Sequence, residues 1–233
     1  AKCSVYMAQE GDTLGKDSEL AATLAQGKPV IVYVRKIKDK DLEGYFKELQ
    51  KRPFVYFRQR LMTLLADEFF RKSDNLSKVI SKAETLGVDS GEIKQGVIIS
   101  KLLQLFDEFY NGRTFAVISK EENWFRETHK REIEQGAKFL AAVESVALDN
   151  RADSIKTKHP LSLQVNLSTG VANGVLVARS AKDCAELIKN VLLRNMKFDI
   201  GPLGEKKILG TALRDKITGS TFRVVIKNEC ITN

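Results

Sequence analysis

The chain has 233 residues, a hydrophobic fraction of 43% and a net charge of +8. That apolar content supports a substantial core and excludes global disorder, and the length suits one large domain or two modest ones. No apolar run approaches the roughly 20 residues that a membrane span requires, and no secretory leader is visible, so we expect a cytoplasmic protein without a membrane partner.

The positive charge is concentrated towards the C-terminus. Residues 1–150 contain 24 basic and 23 acidic side chains, whereas residues 151–233 contain 14 basic and 7 acidic ones. This asymmetry predicts either a basic face for a nucleotide, a nucleic acid or an acidic protein, or only a solvated surface. The widely spaced Cys3, Cys184 and Cys230 form neither a metal-binding spacing nor a disulfide framework, which favours a reducing compartment.

The N-terminal residues predict a strand, a loop, a helix and a second strand. We place the strands at residues 3–7 and 29–34 and the helix at about residues 17–26. The run from Val30 to Val34 is apolar without alternation, as in a parallel strand buried on both faces. Glu19 then lies in the first turn of the helix, where it either complements the helix dipole or belongs to a ligand site at the end of a strand.

Four neighbours of Glu19 are candidate substrate-binding residues. Asp17 or Ser18 can cap the helix, and the free N–H groups beside them can instead hold a phosphate. Tyr6, at the end of the first strand, either stacks on a base or ribose or belongs to the core. Lys16 either contacts a phosphate or is solvated.

The middle of the chain, from about residue 42 to 153, has apolar residues at helical spacing that predict core-forming helices. We place one helix at about residues 121–149, and residues 115–118 are either a short strand or the entry to that helix. The polar stretch from Asn150 to His159 predicts a linker before Pro160.

Beyond that stretch the period of the apolar residues changes to that of strands. We place strands at residues 161–167, 175–178 and 222–226, and a helix from a cap at Ser180 to about Leu193. The polar side chains Asn166, Thr169 and Asn173 lie around two glycines. They indicate a loop that reads a nucleotide or contacts a subunit, or a plain hairpin.

The predicted fold class is α/β, with a partial parallel sheet at the N-terminus, a helical middle and a small α+β module at the C-terminus. The corresponding domains are residues 1–53, 54–155 and 156–233. His129, expected to be exposed, and His159 have no cysteine or carboxylate at ligand spacing, so no metal site is predicted. No motif of a serine hydrolase, an NTPase or a metalloprotease is present.

The N-terminal segment resembles two related families. Ser18-Glu19-Leu20, then Gly27-Lys28-Pro29-Val30-Ile31 and the strand after it, are similar to the Toll/interleukin-1 receptor (TIR) domain, including its NAD-cleaving bacterial members, and to the nucleoside 2-deoxyribosyltransferase-like fold. The resemblance covers about a seventh of the chain, residues 2–34. It implies a flavodoxin-like parallel sheet and a Glu19 carboxylate that acts on an N-glycosidic bond at the ribose C1′. Both families have further strands before this segment, so we expect either that the N-terminal half is missing from this sequence or that the fold is reduced.

The resemblance implies an N-glycosidase that cleaves the nicotinamide–ribose bond of NAD, or of a related nucleotide, in a defence-type effector regulated by assembly. NAD is then a substrate, no cofactor is required, and a homo-oligomer or a partner protein is expected. A deoxyribosyltransferase-like enzyme acting on free nucleosides shares Glu19 and differs in its substrate. The alternative is a non-catalytic module that binds a nucleotide or nucleic acid through the basic C-terminal third.

Overall fold

The structure is a computed structural model that describes residues 2–8, 14–26, 28–52, 54–66, 73–111, 115–158, 164–167, 170–173, 175–202 and 211–225. The chain forms two compact units, of which unit 1 comprises residues 1–36 and 148–233 and unit 2 comprises residues 37–147. The helices and strands of the described residues are, in chain order, β1 Ser4–Met7, α1 Leu14–Ala25, β2 Val30–Tyr33, α2 Leu42–Gln50, α3 Phe54–Ala66, α4 Ser73–Thr85, α5 Ser90–Lys94, α6 Val97–Tyr110, α7 Phe115–Thr128, α8 Lys130–Lys158, β3 Gln164–Leu167, β4 Gly170–Asn173, β5 Leu176–Ala178, α9 Ala181–Leu192, β6 Phe198–Pro202, β7 Thr211–Asp215 and β8 Thr221–Val225.

A three-stranded parallel sheet in the order β1-β2-β5 is the centre of unit 1. The central strand β2 contains Val30, Ile31 and Val32, which are at most 2% exposed. This burial explains why the strand is apolar without alternation, because a parallel strand with helices on both sides has no face in water. The α/β class and the first two strands were therefore predicted correctly.

Helices α1 and α9 cover opposite faces of this sheet. Thr23 of α1 forms a hydrogen bond with Tyr6 of β1, whereas Leu187 of α9 is buried in one cluster with Ile31 of β2. Ile31 is in register with Val5, the residue before Tyr6. Because side chains alternate between faces along a strand, Tyr6 and Ile31 point to opposite sides.

Helix α9 begins where its sequence predicts. The Ser180 hydroxyl accepts a hydrogen bond from the Asp183 backbone N–H at 3.1 Å, as an N-cap does. Leu187 of this helix is fully buried.

Unit 1 also contains a five-stranded antiparallel sheet in the order β3-β4-β8-β7-β6. The turn between β7 and β8 is held by Asp215, whose carboxylate accepts bonds from the Thr218 N–H and hydroxyl at 2.8 and 2.7 Å. The buried Ser220 hydroxyl of this turn accepts a bond from the Val177 N–H of β5 at 2.9 Å. Because β5 lies at the edge of the parallel sheet, this contact satisfies a backbone donor that has no strand beside it.

The helices α2 to α7 and the first part of α8 form unit 2 around an aromatic core. The ring centroids of Phe57 and Phe106 are 5.9 Å apart, and those of Phe109 and Phe125 are 4.6 Å apart. A helical middle was predicted, and residues 115–118 are the start of α7 rather than a strand. The single helix predicted at about residues 121–149 is wrong, because the chain turns at His129 and divides it between α7 and α8.

The predicted linker from Asn150 to His159 is wrong as far as the structure describes it. Helix α8 continues to Lys158, because Leu148, Ala152 and Ile155 recur at helical spacing and are 3%, 2% and 6% exposed. The polar residues that suggested a linker occupy the other positions of this part of α8, between the buried ones. His159 itself is outside the described residues.

The two units do not follow the predicted boundaries at residues 53 and 155. Strand β5 pairs in parallel with β2, in the register Ile31 to Leu176. This pairing joins the N-terminal segment to the C-terminal module in one unit, and the predicted 54–155 region corresponds only roughly to unit 2.

Among the helices of the described ranges, none is both long enough and apolar enough to span a membrane.

Candidate functional site

Glu19 is the sixth residue of α1, and its side chain is exposed. The prediction that it lies in the first helical turn is wrong, because α1 begins at Leu14 rather than near residue 17. At a rise of 1.5 Å per residue, Glu19 is about 7.5 Å along the axis from that start. The backbone carbonyl of Glu19 accepts a hydrogen bond from the Thr23 hydroxyl at 3.0 Å.

Asp17 and Ser18 are inside α1, so neither is its N-cap. The free N–H groups of a helix belong to its first turn, which here begins at Leu14. A phosphate bound at this helix end would therefore contact the turn that begins at Leu14, not Asp17 or Ser18. Ser18 is exposed, and the side chains of Lys16 and Asp17 are outside the part of the chain that is described.

Tyr6 anchors α1 to the sheet. Its hydroxyl lies 3.1 Å from the Thr23 hydroxyl, and the Ser4 hydroxyl is 3.3 Å from the same oxygen. Thr23 is 9% exposed, so this small polar network is largely removed from water. Of the two alternatives for Tyr6, these contacts favour a structural role.

We therefore expect Tyr6→Phe to destabilise the fold by about 1 kcal/mol, the usual net value of one hydrogen bond. Chemical denaturation of the two proteins measures this difference. Tyr33→Phe is a matched control, because Tyr33 packs on the α9 side of the sheet and should lose less than about 0.5 kcal/mol. Equal stability of Tyr6→Phe and the unchanged protein would contradict the structural role.

Basic residues follow two of the three parallel strands at their carboxyl ends. Arg35 and Lys36 follow β2 after one intervening residue, Val34, and are exposed. Lys182 is exposed in the first turn of α9, which follows β5. The two strand ends are held together, because the Val34 N–H donates to the Ala178 carbonyl at 2.9 Å. Ligands of open α/β sheets bind at this edge, so these cations favour an anionic ligand there.

Arg179, at the end of β5, has a structural partner. Its guanidinium pairs with the Asp149 carboxylate and donates to the Leu148 carbonyl at 2.9 Å. These strand-end cations were not among the predicted site residues, although a basic residue after each of two predicted strands was a visible signal.

Two clefts lined by described residues lie in unit 2, with volumes of about 570 and 510 Å³. The first is lined in part by Asp89, Lys101 and Arg131, and the second in part by Lys47 and Lys138. Neither includes Glu19. Neither cleft therefore supports the catalytic prediction for Glu19, which rests on the position of this residue in unit 1.

Two of the described thiol and imidazole groups, Cys184 and His129, have surroundings that do not indicate reactive groups. Burial, followed by the nearby Cys3 and Asp183, raises the pKa of the Cys184 thiol, which disfavours the nucleophilic thiolate. His129 is half-buried against Phe125, with ring centroids 4.5 Å apart, so the expectation that it is exposed was wrong. Within the described residues, no three His, Cys, Asp or Glu side chains are grouped as metal ligands.

The polar segment of the C-terminal module lies in paired strands. β3 and β4 are antiparallel, with Asn166 opposite Val171 and Asn173 opposite Gln164. Thr169 is outside the described residues. The pairing agrees with the simpler of the two predictions, a hairpin.

Comparisons of this chain with protein-family models, with curated proteins and with solved structures find no match.

Proposed function

We propose that unit 1 is a flavodoxin-like, TIR-like nucleotide-processing domain that hydrolyses the N-glycosidic bond of NAD or a related nucleotide, with Glu19 as the catalytic carboxylate. The observation that carries the proposal is the β1–α1–β2 arrangement. Two parallel strands flank a helix that presents an exposed carboxylate, and the resemblance of residues 2–34 assigns this carboxylate to chemistry at the ribose C1′.

One carboxylate suffices for this reaction. The bond between C1′ and the nicotinamide nitrogen breaks with its electron pair moving to the pyridinium ring, so nicotinamide leaves neutral and needs no general acid. Glu19 stabilises the positive charge that develops at C1′, as a glycosidase carboxylate does. A water oxygen then bonds to C1′ and releases its proton to solvent.

The strand-end cations supply the complementary charge for the substrate. Arg35, Lys36 and Lys182 lie beyond the carboxyl ends of β2 and β5 and attract the diphosphate of a dinucleotide. Cys3 and Cys184 are free thiols, in keeping with action in the reducing cytoplasm.

The exposure of Glu19 gives a physical reason for activity to depend on assembly. An exposed carboxylate acts in a high dielectric, where its stabilisation of a developing charge is weak. A second surface that covers Glu19 excludes water and strengthens this interaction. We therefore assign activity to an associated form of the protein.

Product analysis tests the substrate. Concentrated protein incubated with NAD should release nicotinamide and ADP-ribose, and the rate per molecule should rise with protein concentration. Release of a free base from a deoxyribonucleoside, with NAD left intact, would assign the deoxyribosyltransferase-like activity instead.

A non-catalytic binding module is the second candidate, and the second-turn position of Glu19 favours it. Here the cations after β2 and β5 bind phosphates and no bond is cleaved. Binding of a nucleotide or nucleic acid that weakens steeply as salt rises, without nicotinamide release at any protein concentration, would favour this module over the enzyme.

A further inference from the structure

Arg179 is a cation at the carboxyl edge of the parallel sheet, and a carboxylate of the same unit pairs with it. It directly follows Ala178, the last residue of β5, and its guanidinium pairs with the Asp149 carboxylate of α8. A second guanidinium N–H donates to the Leu148 carbonyl at 2.9 Å. All of these residues belong to unit 1. Asp149 thus occupies a cation at the edge where open α/β sheets bind their ligands.

This ion pair is partly exposed to water. The Arg179 side chain is 15% exposed and the Asp149 side chain is 37% exposed. A pair with this exposure has a small net stability, because water and salt screen both charges. A phosphate, by contrast, accepts two parallel hydrogen bonds from a guanidinium, and a diphosphate carries more negative charge than one carboxylate. A diphosphate therefore competes with Asp149 for Arg179.

The surroundings of Arg179 are positive even when Asp149 is counted. Residues 34–36 and 179–184, which follow β2 and β5, contain four basic side chains and one acidic side chain, Asp183. With Asp149 the balance is four against two. The edge therefore still attracts an anion, and Asp149 reduces this attraction without cancelling it.

We propose that Asp149 is an internal competitor for a phosphate-binding cation, Arg179. In the ligand-free protein the carboxylate holds the guanidinium, and in the complex the guanidinium donates two hydrogen bonds to the diphosphate of a nucleotide while Asp149 is released to water. This role rests on the proposed function, which brings a dinucleotide diphosphate to this edge. Arg179 is then a substrate-binding residue, and its ion pair restrains binding.

The size of this restraint follows from the strength of the pair. Competition lowers the apparent affinity by the fraction of molecules in which Arg179 is free. A partly exposed ion pair favours its closed form by about two- to fivefold. Removal of the competitor should therefore tighten nucleotide binding about three- to sixfold.

Binding of ADP tests this role, because ADP carries the diphosphate and has no nicotinamide bond to cleave. Asp149→Asn keeps the size of the side chain and removes its charge, so it should lower the Kd of ADP about three- to sixfold in isothermal titration calorimetry. Arg179→Gln should raise the Kd about tenfold, the scale of one lost charge-assisted hydrogen bond. Asp199→Asn is the matched control, since it removes the same charge from unit 1 at a carboxylate that pairs with Lys216 at 2.8 Å. It should bind ADP as the unchanged protein does.

The double variant distinguishes competition from charge repulsion. Without Arg179 there is no cation for Asp149 to occupy, so Asp149→Asn should leave the Kd of ADP unchanged in the Arg179→Gln background. Equal tightening in both backgrounds would show that Asp149 acts only as a repulsive charge, and this result would overturn the proposal. Unchanged ADP binding in Asp149→Asn would also overturn it, as would the absence of ADP binding in both this variant and the unchanged protein.

The carboxyl ¹³C resonance of Asp149 gives a readout that needs no variant of Arg179. Saturating ADP should move this resonance to the position of a solvated aspartate, and a resonance that ADP leaves in place would contradict the release of Asp149. None of these measurements requires bond cleavage. A protein that cleaves NAD but binds ADP independently of Asp149 would overturn only the competitor role, whereas tighter ADP binding by Asp149→Asn without nicotinamide release would overturn only the enzyme.

Discussion

Arg60→Met should destabilise unit 2 by about 3–5 kcal/mol, the cost of removing one partner from a buried ion pair. Glu144 is fully buried on α8, and one of its carboxylate oxygens accepts a hydrogen bond from Arg60 Nε at 2.6 Å. The Tyr45 hydroxyl donates to the other oxygen. Without the guanidinium, the carboxylate keeps its desolvation cost and loses the cation 2.6 Å away.

The double variant Arg60→Met, Glu144→Leu separates charge from packing. It removes both charges and fills the space with apolar groups, so it should be more stable than Arg60→Met alone. Urea unfolding followed by circular dichroism gives the midpoints and slopes for four proteins, namely the unchanged protein, Arg60→Met, Glu144→Leu and the double variant. If the double variant were less stable than Arg60→Met by the full cost of Glu144→Leu alone, the two residues would not be coupled.

The elements with strong local signals were predicted, and the pairings between distant segments were not. Ser180 predicts the start of α9, because a serine before a periodic apolar run can cap a helix, and here it accepts the cap bond from Asp183. The apolar run of β2 predicts a buried strand from the local sequence in the same way. The parallel partner of Ile31 is Leu176, and no local pattern specifies which strand pairs with which over such a separation.

Helix α8 shows why polar composition alone misleads. Asn150, Arg151 and Asp153 suggested a linker, but Ala152 and Ile155 continue the buried stripe between them. Small apolar residues such as alanine carry a weak hydropathy signal even when they are fully enclosed. The helix was therefore predicted to end about nine residues early, near Asp149 rather than at Lys158.

The candidate site was found only in part for a related reason. The resemblance selected Glu19, but the turn of the helix in which it lies depends on where α1 begins. That start is at Leu14, in a polar stretch with no apolar period to mark it. The sequence also did not predict that the side chains of Trp124 and Leu193 are exposed. Both residue types are usually buried, and their exposure depends on how the neighbouring elements pack.

Glu19→Gln should lower the rate of nicotinamide release by about 10²–10³-fold, the scale for removing one group that stabilises charge in a transition state. Glutamine keeps the size of the side chain and loses the negative charge. Because the carboxylate acts on the charge that develops at C1′, kcat should fall while KM changes little. Glu186→Gln is a matched control, since Glu186 is also an exposed helical carboxylate of unit 1.

Both variants should fold as the unchanged protein does, because substitutions of exposed side chains rarely alter stability by more than about 0.5 kcal/mol. Their unfolding midpoints are the check that a loss of rate is chemical in origin.

The most direct measurement is nicotinamide release from NAD by the unchanged protein and by Glu19→Gln, side by side at the highest protein concentration that remains soluble. We expect release by the unchanged protein and by Glu186→Gln, and almost none by Glu19→Gln. Equal release by all three proteins, or release by none of them at a concentration where association is complete, would contradict a catalytic role for Glu19.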